Sequence, residues 1–215
     1  MNVKINLNLF LFLILFLITN QIEIYALIMI FALIHEISHL ICGILLGFKP
    51  NTFRIMPFGF CIEFDEQIEE YNMKVGKSNE LAVKRTLIAL AGPFLNLCIV
   101  ILGLLINLDK NVIYSNFLLV IFNLMPIYPL DGGRILKNIL KIFFGNRKAN
   151  KYTNMVSNMF VISITALSSI LIITYKNVAI FFVIIVLWIM VIKENKKYNT
   201  YNKIFKTIDK TYNYL

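Results

Sequence analysis

Residues 86–108 run for 23 positions without one charged side chain. A helix of that length rises about 35 Å, enough to cross the roughly 30 Å hydrocarbon core of a bilayer. The stretch is not isolated. Apolar segments at 5–19, 24–48, 81–108, 112–127, 156–175 and 178–192 read as six transmembrane helices. Overall 59% of residues are hydrophobic and 15% charged, against roughly 45–50% and 25% in soluble domains. The expected fold class is an all-α polytopic membrane protein. The expected organisation is one six-span domain over 1–192, with its core at 24–145, and a short basic tail over 193–215. The first segment follows Lys4 and could be a signal peptide. No small-residue cleavage site follows it, so a retained helical hairpin is the better reading.

The placement of charge supports this layout. Of the 21 Lys and Arg residues, only Lys110 and Lys176 fall in connections on one side; the other 19 fall on the opposite side. Basic loops stay in the cytoplasm, so both termini are expected there in a multi-pass cell-membrane protein. The net charge of +9 then reflects topology and contact with anionic lipid in the bilayer, not a nucleic-acid partner. The cytoplasmic stretch 53–64 is rich in aromatic and β-branched residues, and reads as a strand or short hairpin. The acidic cluster Glu63, Asp65, Glu66, Glu69 and Glu70 reads as a solvated loop. Cys42, Cys61 and Cys98 have no C-x-x-C spacing, which argues against a disulfide framework or a thiolate zinc site.

Within the second span stand His35, Glu36 and His39, and His35 and His39 are the two histidines of the chain. Residues four apart share one face of a helix, so two imidazoles can bind one zinc with Glu36 beside them as general base. Ionisable groups inside a membrane are costly to insert and need a partner, which a divalent cation supplies. The bland alternative is hydrogen bonding between helices. Cys42, three residues after His39, reads as a packing residue.

A further acid stands in the fourth span, in the run Asn123-Leu-Met-Pro-Ile-Tyr-Pro-Leu-Asp131-Gly-Gly-Arg134. Pro126 and Pro129 break the helix, and Gly132 and Gly133 allow unusual dihedrals. Irregular backbone at membrane depth faces protein or a wet cavity. From His39 to residue 48 is about 14 Å of helix. If a helix resumes after Gly133 and surfaces near Lys141, Asp131 lies about 15 Å deep. His35, His39 and Asp131 would then leave one coordination position open for water, as in a catalytic zinc site. An alternative role for Asp131 is as a helix N-cap.

Three blocks resemble the site-2 protease group of intramembrane zinc metalloproteases. They are His35-Glu36-Ile37-Ser38-His39, Ala91-Gly92-Pro93-Phe94-Leu95-Asn96, and Asn123-x-x-Pro126-x-x-Pro129-x-Asp131-Gly132. The resemblance implies one catalytic Zn2+ and hydrolysis of a peptide bond in or near the transmembrane segment of a membrane-tethered protein substrate. It implies that Asn123 holds the substrate backbone and that Asn96 supports substrate or the oxyanion. For both amides, hydrogen bonding between helices is an equal alternative. In detail the chain is similar to the sporulation branch, which implies a sigma-factor precursor as substrate and membrane regulatory proteins as partners. It departs from that branch where 23 residues after Ile192 leave no room for a nucleotide-binding CBS domain. A competing reading is a polytopic transporter passing ions through the His–Asp site. It lacks the inverted repeat and second broken helix often seen in transporters.

Overall fold

The computed structural model describes residues 2–5, 22–56, 59–64, 75–175 and 178–212. The elements are β1 (Asn2–Ile5), α1 (Ile22–Leu45), β2 (Pro50–Met56), β3 (Gly59–Phe64), α2 (Val75–Leu105), α3 (Lys110–Leu124), α4 (Asp131–Tyr175) and α5 (Val178–Tyr212). The expected first span lies outside the described residues except for Ile5, which ends β1. So do Asp65, Glu66, Glu69 and Glu70 of the acidic cluster. Three described helices are long and apolar enough to cross a membrane, at Ile22–Leu45, Gly76–Leu105 and Asp131–Ile170. The helix expected over 112–127 is instead the 15-residue α3, which stops at Leu124. Pro126 disfavours helical backbone in the residue before it, which ends the helix early.

The chain divides into two compact units, residues 1–124 and 125–215. In the first, α1 packs on α2 and α3, and α2 packs on α3. Gly47 ends α1 at φ 87°, a left-handed conformation that glycine adopts without steric cost. Its N–H bonds the Ile44 carbonyl and the Phe48 N–H bonds Gly43, closing the last turn. Asp109 starts α3 as its cap, its carboxylate accepting from the Asn111 N–H at 2.6 Å.

The expected hairpin is present. β2 and β3 pair antiparallel with Phe53 opposite Ile62 and Ile55 opposite Phe60, and Phe53 stacks on Phe60 at 5.5 Å. β1 adds in parallel on the far side of β2, with Lys4 opposite Arg54, so β2 is central and β3 is an edge. Glu63 is not a free surface acid. It accepts from Thr52 at 2.6 Å and from Arg54 at 2.8 Å. The Phe64 ring covers Gly43 of α1 so closely that a Cβ there would collide with it. A glycine one turn beyond His39 thus seats the sheet on the helix.

In the second unit α4 begins at Asp131 and breaks at Gly145 (φ 76°, ψ 168°). Its later part packs on α5. Val161, Leu187 and Val191 are almost fully buried there. Polar clamps tie the two helices together. Asn158 and Asn195 exchange amide hydrogen bonds at 2.9 and 3.3 Å, and the Trp188 indole donates to Thr165 at 3.0 Å. The basic residues after 192 continue α5 as helix to Tyr212.

Candidate metal centre

His35 and His39 lie on the buried face of α1, each 3% exposed. Their Nε2 atoms stand 3.1 Å apart and their rings are nearly perpendicular, at 85°. The i, i+4 spacing brings the rings to one face, and contacts with α2 fix how they turn. The Nδ1 of His39 lies 2.6 Å from the carbonyl oxygen of Ile88. A carbonyl only accepts, so Nδ1 carries the proton and the Nε2 lone pair is left toward His35. Histidine ligands of metals are ordinarily held in this way, with the second nitrogen donating to a carbonyl or carboxylate.

The neighbouring Ser38 donates its hydroxyl to the Ala91 carbonyl at 2.7 Å. These two bonds join consecutive residues of α1 to one turn of α2. Pro93 follows inside α2, where it cannot donate to the Ala89 carbonyl and loosens the local ladder. Gly92 completes the seat. A Cβ there would lie 2.5 Å from both Nε2 atoms, so only a hydrogen atom leaves space in front of the ligand nitrogens. Ile88 lies outside the sequence motifs, and Ser38 and Gly92 stand within them without an assigned role. The usable signal was a glycine in the middle of an apolar span, followed by a proline.

Asp131 opens α4 and is 5% exposed. The Pro-containing connection before it is irregular, as expected, and its Tyr128–Pro129 peptide is cis. The Arg134 N–H bonds the Leu130 carbonyl, which places Leu130 at the cap and Asp131 in the first helical turn. There a carboxylate also favours the positive end of the helix dipole. Arg134 Nη1 lies 3.8 Å from its Oδ1. Gly133 is needed for a reason other than dihedral freedom. Among described glycines only Gly47 and Gly145 have positive φ, whereas a Cβ on Gly133 would strike the backbone of Ile127 and Tyr128. The connection folds back against the first turn of α4. Ser157 holds it there, accepting the Tyr128 N–H at 2.9 Å.

Among the described residues, His35, His39 and Asp131 form a buried group. Each offers one ligand atom, and these atoms lie within 4.8 Å of one another. The donor set fits zinc, which takes imidazole nitrogen and carboxylate oxygen and keeps one position open in catalytic sites. Two nitrogens each about 2.05 Å from a tetrahedral ion would stand about 3.3 Å apart, close to the 3.1 Å between the two Nε2 atoms.

The other expected residues stand as follows. Glu36 is partly exposed in α1. Asn123 donates to the Leu119 carbonyl of its own helix at 3.1 Å. Asn96 is fully buried, and neither its amide nitrogen nor its oxygen has a partner among the described residues. The hydrogen bonding between helices that could account for these two amides is thus not seen at Asn96. The thiols of Cys42, Cys61 and Cys98 are free.

Residues 102–167 match Peptidase family M50, a segment that holds the proline-rich connection and Asp131. The chain is 27% identical over 139 residues to zinc metalloprotease MJ0392 of Methanocaldococcus jannaschii, covering 60% of this chain and 37% of that protein. It is 26% identical over 129 residues to stage IV sporulation protein FB of Bacillus subtilis, covering 56% of this chain and 41% of that one. The matched regions thus span about two fifths of the length of these relatives. The structure of a site-2 protease from Methanocaldococcus jannaschii superposes with a TM-score of 0.63 at 20% identity, over 89% of each chain. Residues 102–167 are thus similar to Peptidase family M50, the fold is that of the archaeal site-2 protease structure, and in sequence the chain is similar to the archaeal zinc metalloprotease and to the sporulation protein.

Proposed function

We propose that this protein is an intramembrane zinc endopeptidase that hydrolyses a peptide bond in or near the transmembrane segment of a membrane-tethered protein. The observation that carries the reading is the buried group of His35, His39 and Asp131 with Glu36 next to the first ligand. His35, His39 and Asp131 would hold the zinc, which would supply Lewis-acid chemistry and make water acidic enough to attack near neutral pH. Glu36 takes the proton from the attacking water and returns it to the leaving amine. The Ile88 carbonyl keeps His39 in the tautomer that ligation needs, and Gly92 keeps the space before both nitrogens clear.

The amides have a place in this reading. Asn96 retains a full set of unmatched donors and acceptors for substrate or the oxyanion, and Asn123 has a second N–H for the substrate backbone. A transmembrane helix hides its carbonyls, so the substrate unwinds before cleavage. The outer edge of β3 has no strand partner among the described residues, and it suits addition of an extended segment. The layout is read as six spans in one domain over 1–192, with both termini cytoplasmic. β1 and the hairpin at 50–64 share one sheet, which supports placing residue 2 and the 49–80 segment on the same side. The finer assignment, a sporulation sigma-factor precursor as substrate under the control of membrane partners, rests on the resemblance to the sporulation branch alone.

The test is cleavage of a membrane-tethered reporter in proteoliposomes. Glu36→Gln is expected to keep its metal and lose about 10²- to 10⁴-fold in turnover. Undiminished turnover in that variant removes the general-base role. Metal uptake into the vesicles without cleavage by the wild-type chain favours the transporter reading.

A further inference from the structure

A cavity of about 240 Å³ opens between α4 and α5, inside the second unit, with Tyr128 on its wall. Its position along the helices is informative. Thr153 and Asn154 precede the apolar run of α4 at 156–175, and Lys197 and Tyr198 follow the apolar run of α5 at 178–192. The cavity therefore sits where both helices pass from apolar to polar sequence. With those runs read as spans, this is the level of the cytoplasmic headgroups, where tyrosine rings and lysines gather.

Most of the residues around it carry a polar group, although carbon atoms make up the larger part of its walls, and its charged side chains sum to a net positive charge. Lys137 and Lys197 contribute two ammonium groups and Glu194 one carboxylate. The Lys137 ammonium lies 4.7 Å from the centre of the Tyr128 ring, and Lys197 is 2.9 Å from Glu194. Thr153 is 3% exposed, and its hydroxyl has no partner among the described residues. Asn158 donates to the Asn154 oxygen at 3.1 Å, which leaves the Asn154 amide nitrogen as a donor. A buried hydroxyl without a partner costs about 1–3 kcal/mol, and a ligand oxygen would remove that cost. The cavity is smaller than the roughly 300–1,000 Å³ of sites for drug-sized molecules, so it suits one compact group with several acceptor oxygens.

We propose that this cavity binds a phosphate group. The source is the headgroup of an anionic phospholipid of the cytoplasmic leaflet, or free inorganic phosphate, which offers the same chemistry. The site rests on the span reading and is independent of proteolysis, so its test uses binding alone.

The purified full-length protein in detergent is titrated separately with phosphatidylglycerol, phosphatidylcholine and inorganic phosphate. Native mass spectrometry counts bound lipid, and thermal shift reports protection. The expected result is one retained phosphatidylglycerol and none of phosphatidylcholine. Binding should weaken about tenfold or more in the Lys137→Gln/Lys197→Gln variant, and stay unchanged in Lys148→Gln/Lys203→Gln, whose lysines are exposed outside the cavity. Thr153→Val, which leaves all charges in place, should weaken it about threefold. Protection by phosphate without a lipid adduct, lost in the same variants, identifies the free ion as the source. Binding of neither, or equal binding by wild type and the Lys137→Gln/Lys197→Gln variant, overturns the proposal.

Discussion

The His39 ring donates a hydrogen bond from Nδ1–H to the carbonyl oxygen of Ile88 at 2.6 Å. A backbone oxygen on one helix thereby selects which nitrogen of a side chain on another can bind a metal. In the zinc-loaded protein, ¹⁵N spectra of labelled histidine should show His39 protonated at Nδ1 and ligating through Nε2. The opposite tautomer would contradict the assignment.

Gly92 should tolerate no side chain. A methyl group there would stand 2.5 Å from both ligand nitrogens, so rings or helices must shift. Gly92→Ala is expected to weaken zinc binding by about tenfold or more, the range seen when the surroundings of a metal ligand are disturbed. Gly103→Ala is the control. It lies in the same helix, and its nearest new contact is the Ile113 side chain at 3.1 Å. Competition against a fluorescent chelator measures both. Equal affinity in the two variants would remove Gly92 from the site.

Loss of the carboxylate should separate Asp131 from Glu36. Asp131→Asn is expected to lower the zinc content of the purified protein well below one per chain and to abolish cleavage. Stripping the wild-type protein with a chelator should have the same effect, and added zinc should restore it. Full zinc occupancy in Asp131→Asn, by elemental analysis, would leave the carboxylate only as a residue of the first helical turn.

Ser157 should matter to stability through the connection it holds. Its hydroxyl accepts the Tyr128 N–H at 2.9 Å, and Ser157→Ala leaves that N–H without its partner. The expected cost is about 1–3 kcal/mol, read from detergent unfolding. Ser163→Ala removes an exposed hydroxyl bonded within its own helix and should be nearly neutral. If the two variants cost the same, Ser157 is no clamp.

The edge of β3 should be required for an unwound substrate. Replacing 53–64 with a flexible linker of equal length is expected to suppress cleavage while zinc content stays at wild type. A photocrosslinker at Phe60, on β3, should capture the substrate. Full activity after the replacement would dismiss strand addition.

The chain's own order of residues determined a great deal. Apolar runs of about 20 residues predict membrane-crossing helices from sequence alone, and three described helices are long and apolar enough to cross a bilayer. A four-residue spacing puts His35 and His39 on one face whatever surrounds them, and two prolines end α3 and force the irregular approach to Asp131. These are local consequences of helix periodicity and of a missing N–H, which need no knowledge of neighbours. Tertiary structure decided the rest. That Ile88 fixes a tautomer, that Gly92 is a matter of space before two nitrogens, and that Gly133 makes room for the Ile127–Tyr128 backbone all depend on which atoms arrive from distant parts of the chain. The pairing of β1 with β2 and the seat of Phe64 on Gly43 are of the same kind. Steric room and hydrogen-bond partners across helices carry no local periodic signal, so a glycine kept for closeness looks in sequence like a glycine kept for flexibility.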